Sequence, residues 1–298
     1  MRRTPVISVA LVAILALSGC ASTSAAADGR LQVVASTDVY GDIAQSIGGG
    51  VVDVTSIISD PSQDPHSYEG DAQVQLSLSQ ADVVIQNGGG YDDFVTTLLS
   101  GAHNPDAVLL NAATISGIDQ HPATGEFNEH VWYDFPTVKR VVDKIAATFS
   151  RLAPKDAGTF AANARTFDAK LAQLESQEAA IKATSGGVGA AITEPVPLYM
   201  LTASGIVNKT PAAFSQAIES GTDVSPAVLQ QTLALFSDHA VKLLAYNEQT
   251  TGPETEAVLA AAKKANIAIV PVTETLPAHK DYLSWMASNL SAIRAAVG

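Results

Sequence analysis

The chain has 298 residues, with 17 Lys and Arg against 30 Asp and Glu, a formal net charge of −13. A surface of that sign repels phosphate backbones and anionic lipid head groups, which argues against nucleic-acid binding and polybasic membrane docking. Its single cysteine, Cys20, excludes an intramolecular disulfide.

In chain order, residues 1–19 have the layout of an export signal: Arg2 and Arg3 are a basic start, and Val6 to Leu17 an apolar stretch. That stretch is too short to span a bilayer comfortably. It ends in Leu17-Ser18-Gly19-Cys20, which resembles the bacterial lipobox, cut before the cysteine. Acylation of Cys20 is then expected to anchor the chain to a membrane by lipid, with residues 20–29 as a small, polar tether. Removing residues 1–19 takes away two arginines and leaves 15 basic against 30 acidic residues, −15.

The remainder, about 270 residues, is comfortable for two domains of ordinary size. Residues 30–153 carry strand-like runs at Leu31 to Ser36, Val51 to Ile58, Asp82 to Gln86 and Ala107 to Leu110. Helical patterns at Val39 to Ile47, Ala72 to Ser79 and Asp92 to Leu99 alternate with them, which predicts a mainly parallel sheet flanked by helices. Residues 154–184 read as one helix opened by Pro154 and closed by Gly186-Gly187. Phe160, Phe167, Leu171, Leu174 and Ile181 form a narrow apolar stripe along it. Nearly thirty residues would extend about 40 Å, which suits a rigid strut, although periodicity alone also fits a coiled coil. Residues 185–298 repeat the alternation, with strands at Ala190 to Thr193, Lys242 to Tyr246 and Ala268 to Val272. Helices are expected at Pro226 to Asp238, Glu254 to Asn266 and Asp281 to Ala296. The fold class is therefore α/β: two lobes, each a mainly parallel sheet flanked by helices, joined by one long rigid helix.

Four short segments carry chemistry. Asp64-Pro65-His66-Ser67-Tyr68-Glu69 and Asn128-Glu129-His130-Val131-Trp132-Tyr133-Asp134 each place one histidine in a loop among aromatic and acidic residues. Neutral imidazole offers a metal a lone pair without a charge to desolvate. Thr193-Glu194-Pro195 and Thr273-Glu274-Thr275 each place a carboxylate just after a strand, where parallel sheets present their ligands. Two imidazoles and two carboxylates can close a site for a divalent ion. If the lobes face each other, the first brings His66 and His130, the second Glu194 and Glu274. The reference pKa of histidine, about 6.5, predicts that affinity falls below about pH 6. His103, His121, His239 and His279 read as surface residues, His121 with a minor claim as an auxiliary contact. Trp132, Tyr133 and Tyr68 read as packing around the site.

These segments resemble the metal-binding substrate-binding lipoproteins of bacterial ABC importers, the zinc/manganese family of two lobes joined by a long helix. Val33-Val34-Ala35-Ser36-Thr37 with Ile47-Gly48-Gly49 is similar to the family's opening strand and helix, and Ala81 to Gly88 to its third strand. Asp64-Pro65-His66 and Glu129-His130-Val131-Trp132 match the first two ligand segments, and Glu194 with Tyr199 and Gly205 the third. Tyr246-Asn247-Glu248 and Thr273-Glu274-Thr275-Leu276 match the closing segment. Glu194 stands where zinc-type members usually have histidine, and Glu274 where aspartate is usual. The resemblance implies a monomeric extracytoplasmic protein that carries Zn2+ or Mn2+ as transported ligand to an ABC transporter permease. Two carboxylates suit manganese, while zinc has the higher intrinsic affinity at nearly any such site. The histidine-rich loop of some zinc-type members is absent.

A binding protein, and not an enzyme, is the expectation. Glu129-His130 superficially suggests a metallohydrolase, but His-Glu-x-x-His is absent and Asp134 stands where a second histidine is needed. The remaining alternatives are a surface adhesin, or a binding protein for an iron chelate or corrinoid on a similar scaffold, and the chelate-binding proteins would not need four converging ligands.

Overall fold

The computed structural model describes residues 29–298 other than 61, 62 and 64. The expected export signal and the Cys20 anchor lie outside the described residues.

The first lobe runs β1 (Leu31–Thr37), α1 (Asp38–Gly48), β2 (Val52–Ile58), α2 (Ala72–Gln80), β3 (Val83–Gln86), α3 (Phe94–Gly101), β4 (Val108–Asn111), α4 (Ala112–Ser116) and α5 (Phe135–Leu152). Its strands lie parallel in the order β2-β1-β3-β4. All four residues of β3 are buried, the mark of a strand covered by helices on both faces. Asp134 starts α5 by accepting hydrogen bonds from the Thr137 N–H and hydroxyl, with Pro136 in the first turn.

α6 (Ala157–Ser185) follows a 3-10 turn at Pro154–Asp156 and has 29 residues. Its buried positions are Phe160, Ala164, Phe167, Leu171, Leu174, Glu178, Ile181 and Ser185. They alternate at steps of four and three, the seam of a helix packed along its whole length. Gly187, with φ +89°, turns the chain off this helix.

The second lobe runs β5 (Gly189–Ile192), α7 (Leu198–Ala203), β6 (Val207–Asn208), α8 (Ala212–Glu219), α9 (Pro226–Ser237), β7 (Leu243–Asn247), α10 (Pro253–Lys264), β8 (Ala268–Val272) and α11 (Tyr282–Val297). Its parallel order, β6-β5-β7-β8, repeats that of the first lobe. In both sheets the strand order reverses direction beside the first strand, a switch point that opens a crevice at the strand ends. A fully buried asparagine stands just beyond or at the end of the third strand in each case, Asn87 after β3 and Asn247 in β7. Sequence reading found three strands here and missed β6, α7 and α8. A two-residue strand and helices of six and eight residues are too short to display a period.

One apolar core crosses from lobe to lobe. It joins Val33, Ile85 and Val142 of the first lobe to Phe167 and Leu174 of α6 and to Ile192, Leu243 and Trp285 of the second. Each lobe keeps a smaller core of its own on its other face. Hydrogen bonds stitch the same junction. Asp38 and Asp42 of α1 accept from the backbone N–H of Leu276 (3.1 Å) and Tyr282 (2.9 Å). The Tyr133 hydroxyl donates to the Thr273 carbonyl (2.8 Å) and the Tyr282 hydroxyl to that of Trp132 (2.7 Å). Among the described residues no helix is long and apolar enough to cross a membrane.

Candidate metal centre

His66 sits in a 3-10 turn, Pro65–Ser67, beyond the end of β2. Its Nε2 lies 3.2 Å from Glu219 Oε1 and 3.9 Å from Glu129 Oε1. His130 precedes a second 3-10 turn, Val131–Tyr133, at the start of α5. Its side chain is 0% exposed, against 26% for His66. His130 Nε2 lies 3.5 Å from Glu219 Oε1 and 3.8 Å from Glu274 Oε2. One ligand atom from each of His66, His130 and Glu219 falls within 4.8 Å of the other two.

The His130 tautomer follows from its neighbour. Asn128 Nδ2 donates to the Pro195 carbonyl (3.1 Å), so its Oδ1 must be the atom that faces His130 Nδ1 at 2.8 Å. An amide oxygen can only accept, hence Nδ1 carries the proton and the neutral ring presents a lone pair at Nε2. Asn128 thereby ties the histidine loop to the residue after Glu194, and the Tyr199 hydroxyl reinforces the tie by donating to the Asn128 carbonyl.

The two glutamates expected from the sequence share one amide. Asn247 Nδ2 donates to Glu194 Oε2 (2.6 Å) and to Glu274 Oε1 (2.8 Å). Gln249 Oε1 accepts from the Glu274 backbone N–H, which fixes that loop. The structure thus brings His66 and His130 together with Glu219, sets Glu274 Oε2 3.8 Å from His130 Nε2, and joins Glu194 to Glu274 through the Asn247 amide. Burial, with Glu274 and Glu219 adding to it, raises the Glu194 carboxyl to about 8, so it holds a proton at neutral pH. Burial alone would lower His130, but Glu219, Glu274 and Glu129 outweigh it and raise the imidazolium to about 9. His66 is raised as well: burial opposes the shift, while Glu219 and Glu274 drive it.

Four groups escaped sequence reasoning. Glu219 ends α8, a helix with no periodic signal. The legible hint was an acidic residue in a last helical turn, where the helix dipole disfavours it. Asn128 and Asn247 were visible only as motif letters. Tyr91 packs edge-on against His66 (ring centroids 5.0 Å) and tilts onto Trp132 (4.8 Å), which in turn meets His130 (5.1 Å). Trp132 therefore walls the site as expected, whereas Tyr68 packs on Phe94 (4.8 Å). His103, His121, His239 and His279 are all exposed.

A cleft of about 300 Å³ between the lobes, lined by Glu126, Phe127, Glu129, Pro195, Asn208 and Glu219 among others, leads to this centre. A larger hollow of about 550 Å³ beside α3 offers only His103 as a titratable group and carries no comparable chemistry.

A family profile described as zinc-uptake complex component A, periplasmic (ZnuA), matches residues 33–296. The chain belongs to that family. It is 33% identical over 179 residues to the manganese-binding lipoprotein MntA of Bacillus subtilis, a match covering 58% of each chain. It is 28% identical over 183 residues to the metal ABC transporter substrate-binding lipoprotein SloC of Streptococcus mutans, covering 58% of this chain and 59% of that one. The chain therefore spans under three fifths of the length of these relatives. Among solved structures, the periplasmic zinc-binding protein TroA of Treponema pallidum superposes with a TM-score of 0.76 at 18% identity, over 91% of this chain and 100% of that one. The substrate-binding protein FpvC of Pseudomonas aeruginosa in complex with Mn2+ gives 0.73 at 21% identity, over 90% and 98%. These likenesses establish the two-lobed fold anticipated from the sequence.

Proposed function

We propose that this protein captures a divalent transition-metal ion, zinc or manganese, between its lobes and hands it to an ABC transporter permease. His66, His130, Glu274 and Glu194 hold the ion in this reading. One observation carries it: buried polar atoms converge without partners of proper geometry. His130 Nε2, Glu274 Oε2 and both oxygens of Glu219 are buried and complete no hydrogen bond among the described residues. Leaving so many buried groups unsatisfied is costly, and a cation answers all of them at once. The ion is cargo here, so the residues' task is to strip its water and hold it, with no bond made or broken. Family membership and the names of the relatives support import over catalysis. Acylation of Cys20 would keep the loaded protein at the membrane beside its permease; Cys20→Ser should then release it from the membrane fraction.

The direct test is native mass spectrometry on protein produced without added metal and then given one equivalent of manganese or zinc. A single bound ion, lost in His66→Ala and His130→Ala, supports the reading. An organic chelate in place of the ion points to the chelate-binding alternative, and no bound species refutes metal capture.

A further inference from the structure

We infer that Glu219, at the C-terminal end of α8, is itself a ligand of the captured ion, adding a carboxylate beyond the set legible in the sequence. This rests on the metal-capture reading and names a residue that decides its selectivity. Glu219 Oε1 stands 3.2 Å from His66 Nε2 and 3.5 Å from His130 Nε2. Ligand atoms about 2.0–2.2 Å from one ion are separated by roughly that distance in tetrahedral or octahedral geometry. Neither oxygen of Glu219 accepts a hydrogen bond from an amide, hydroxyl or backbone N–H, and both are buried.

The contrast with its neighbours is chemical. Glu194 and Glu274 each have the Asn247 amide as a donor. Glu219 has instead the negative end of its own helix behind it and the Glu129 carboxylate beside the same histidine. A cation held together with the two imidazoles is the partner that suits a carboxylate so placed. Side-chain exposure of 13% leaves it little water. With Glu219 included, the centre gains oxygen donors and negative charge, which favours an ion that accepts more than four hard ligands. Manganese fits that description, and zinc, content with four donors, needs Glu219 less.

The test compares the full chain with Glu219→Gln, Glu219→Ala and, as a charge-removal control in the same cleft, Glu126→Gln. Each metal-free protein is titrated with manganese, zinc and cobalt(II), whose visible absorption reports its donor set. Manganese affinity should fall about tenfold or more in Glu219→Gln, zinc affinity should fall less, and the cobalt spectrum should shift. Formate should restore part of the manganese affinity of Glu219→Ala, by filling the vacated carboxylate position, whereas Glu126→Gln should match wild type. Wild-type affinities and an unchanged cobalt spectrum in Glu219→Gln would overturn the inference while leaving metal capture intact. If Glu219→Gln does not fold, formate rescue of Glu219→Ala decides, and no rescue overturns it. A wild-type chain that binds none of the three ions overturns both readings.

Discussion

At the scale of single residues, the centre is a set of charges that need one another. If His130 and Glu194 hold the ion as proposed, metal displaces the proton that His130 holds up to about 9 and the one that Glu194 holds up to about 8. Apparent affinity should therefore climb from pH 6 to about pH 9 and level off there, by up to about tenfold per unit for each proton displaced. Calorimetry across that range checks it, and a plateau already reached at pH 7 would contradict the raised imidazolium. The reference value of histidine alone put the loss below about pH 6; burial among carboxylates moves it upward. Asn128 is the second residue to probe. Asn128→Ala removes both the acceptor at His130 Nδ1 and the donor to Pro195. Affinity should drop roughly 10–100-fold, as for other residues that orient a ligating histidine, with the metal-free melting temperature changed far less. The histidines were legible because imidazole in an acidic, aromatic loop is chemically conspicuous. Asn128 and Glu219 were not, since an amide or carboxylate declares its role only through the atoms it faces.

At the scale of elements, α6 offers the clearest test. Its apolar stripe was read from five residues and proved to be a longer seam that includes Glu178, 5% exposed. Burial, then Asp134 and Glu175, raise this carboxyl to about 8. A carboxyl whose pKa is higher folded than unfolded stabilises the fold while protonated. That contribution is present below the unfolded value and lost as pH rises through about 8. Glu178→Gln should thus melt above wild type by a margin that widens from pH 6 to pH 9, roughly 2 °C or more at the upper end. Thermal melts at three pH values suffice, and a margin constant with pH would deny the buried ionisation. The long helix α6 was readable because its burial repeats, and the strands of the first lobe because they are apolar, β-branched runs. The stretch from Pro195 to Ser225 was opaque because its pieces are held by tertiary contacts: Val207 N–H bonds the Val188 carbonyl, and the Lys209 N–H bonds that of Ala190.

At the scale of the whole molecule, the shared core makes two lobes one cooperative body. Calorimetry of the metal-free protein should show a single transition, with no earlier melting of either lobe. Manganese should raise that transition by mass action, since the unfolded chain holds no assembled site; two resolved transitions would mean that the lobes fold apart. The paired sheets were foreseeable from strand and helix alternation, but the junction was not, because no pattern in one lobe announces what the other buries. That junction has a kinetic meaning. With Trp132, Tyr133, Tyr282 and Trp285 packed between the halves, separating one lobe from the other would break this shared aromatic packing. Under the metal-capture reading, that packing favours loading by dehydration and deprotonation of the donors over a wide separation of the lobes. On the same reading, an ion held from both lobes would leave most readily through a local displacement of one ligand-bearing loop. The Thr273–Leu276 loop, tied to the first lobe through the Leu276 N–H on Asp38, is the segment whose displacement would remove Glu274 while the histidines stay in place.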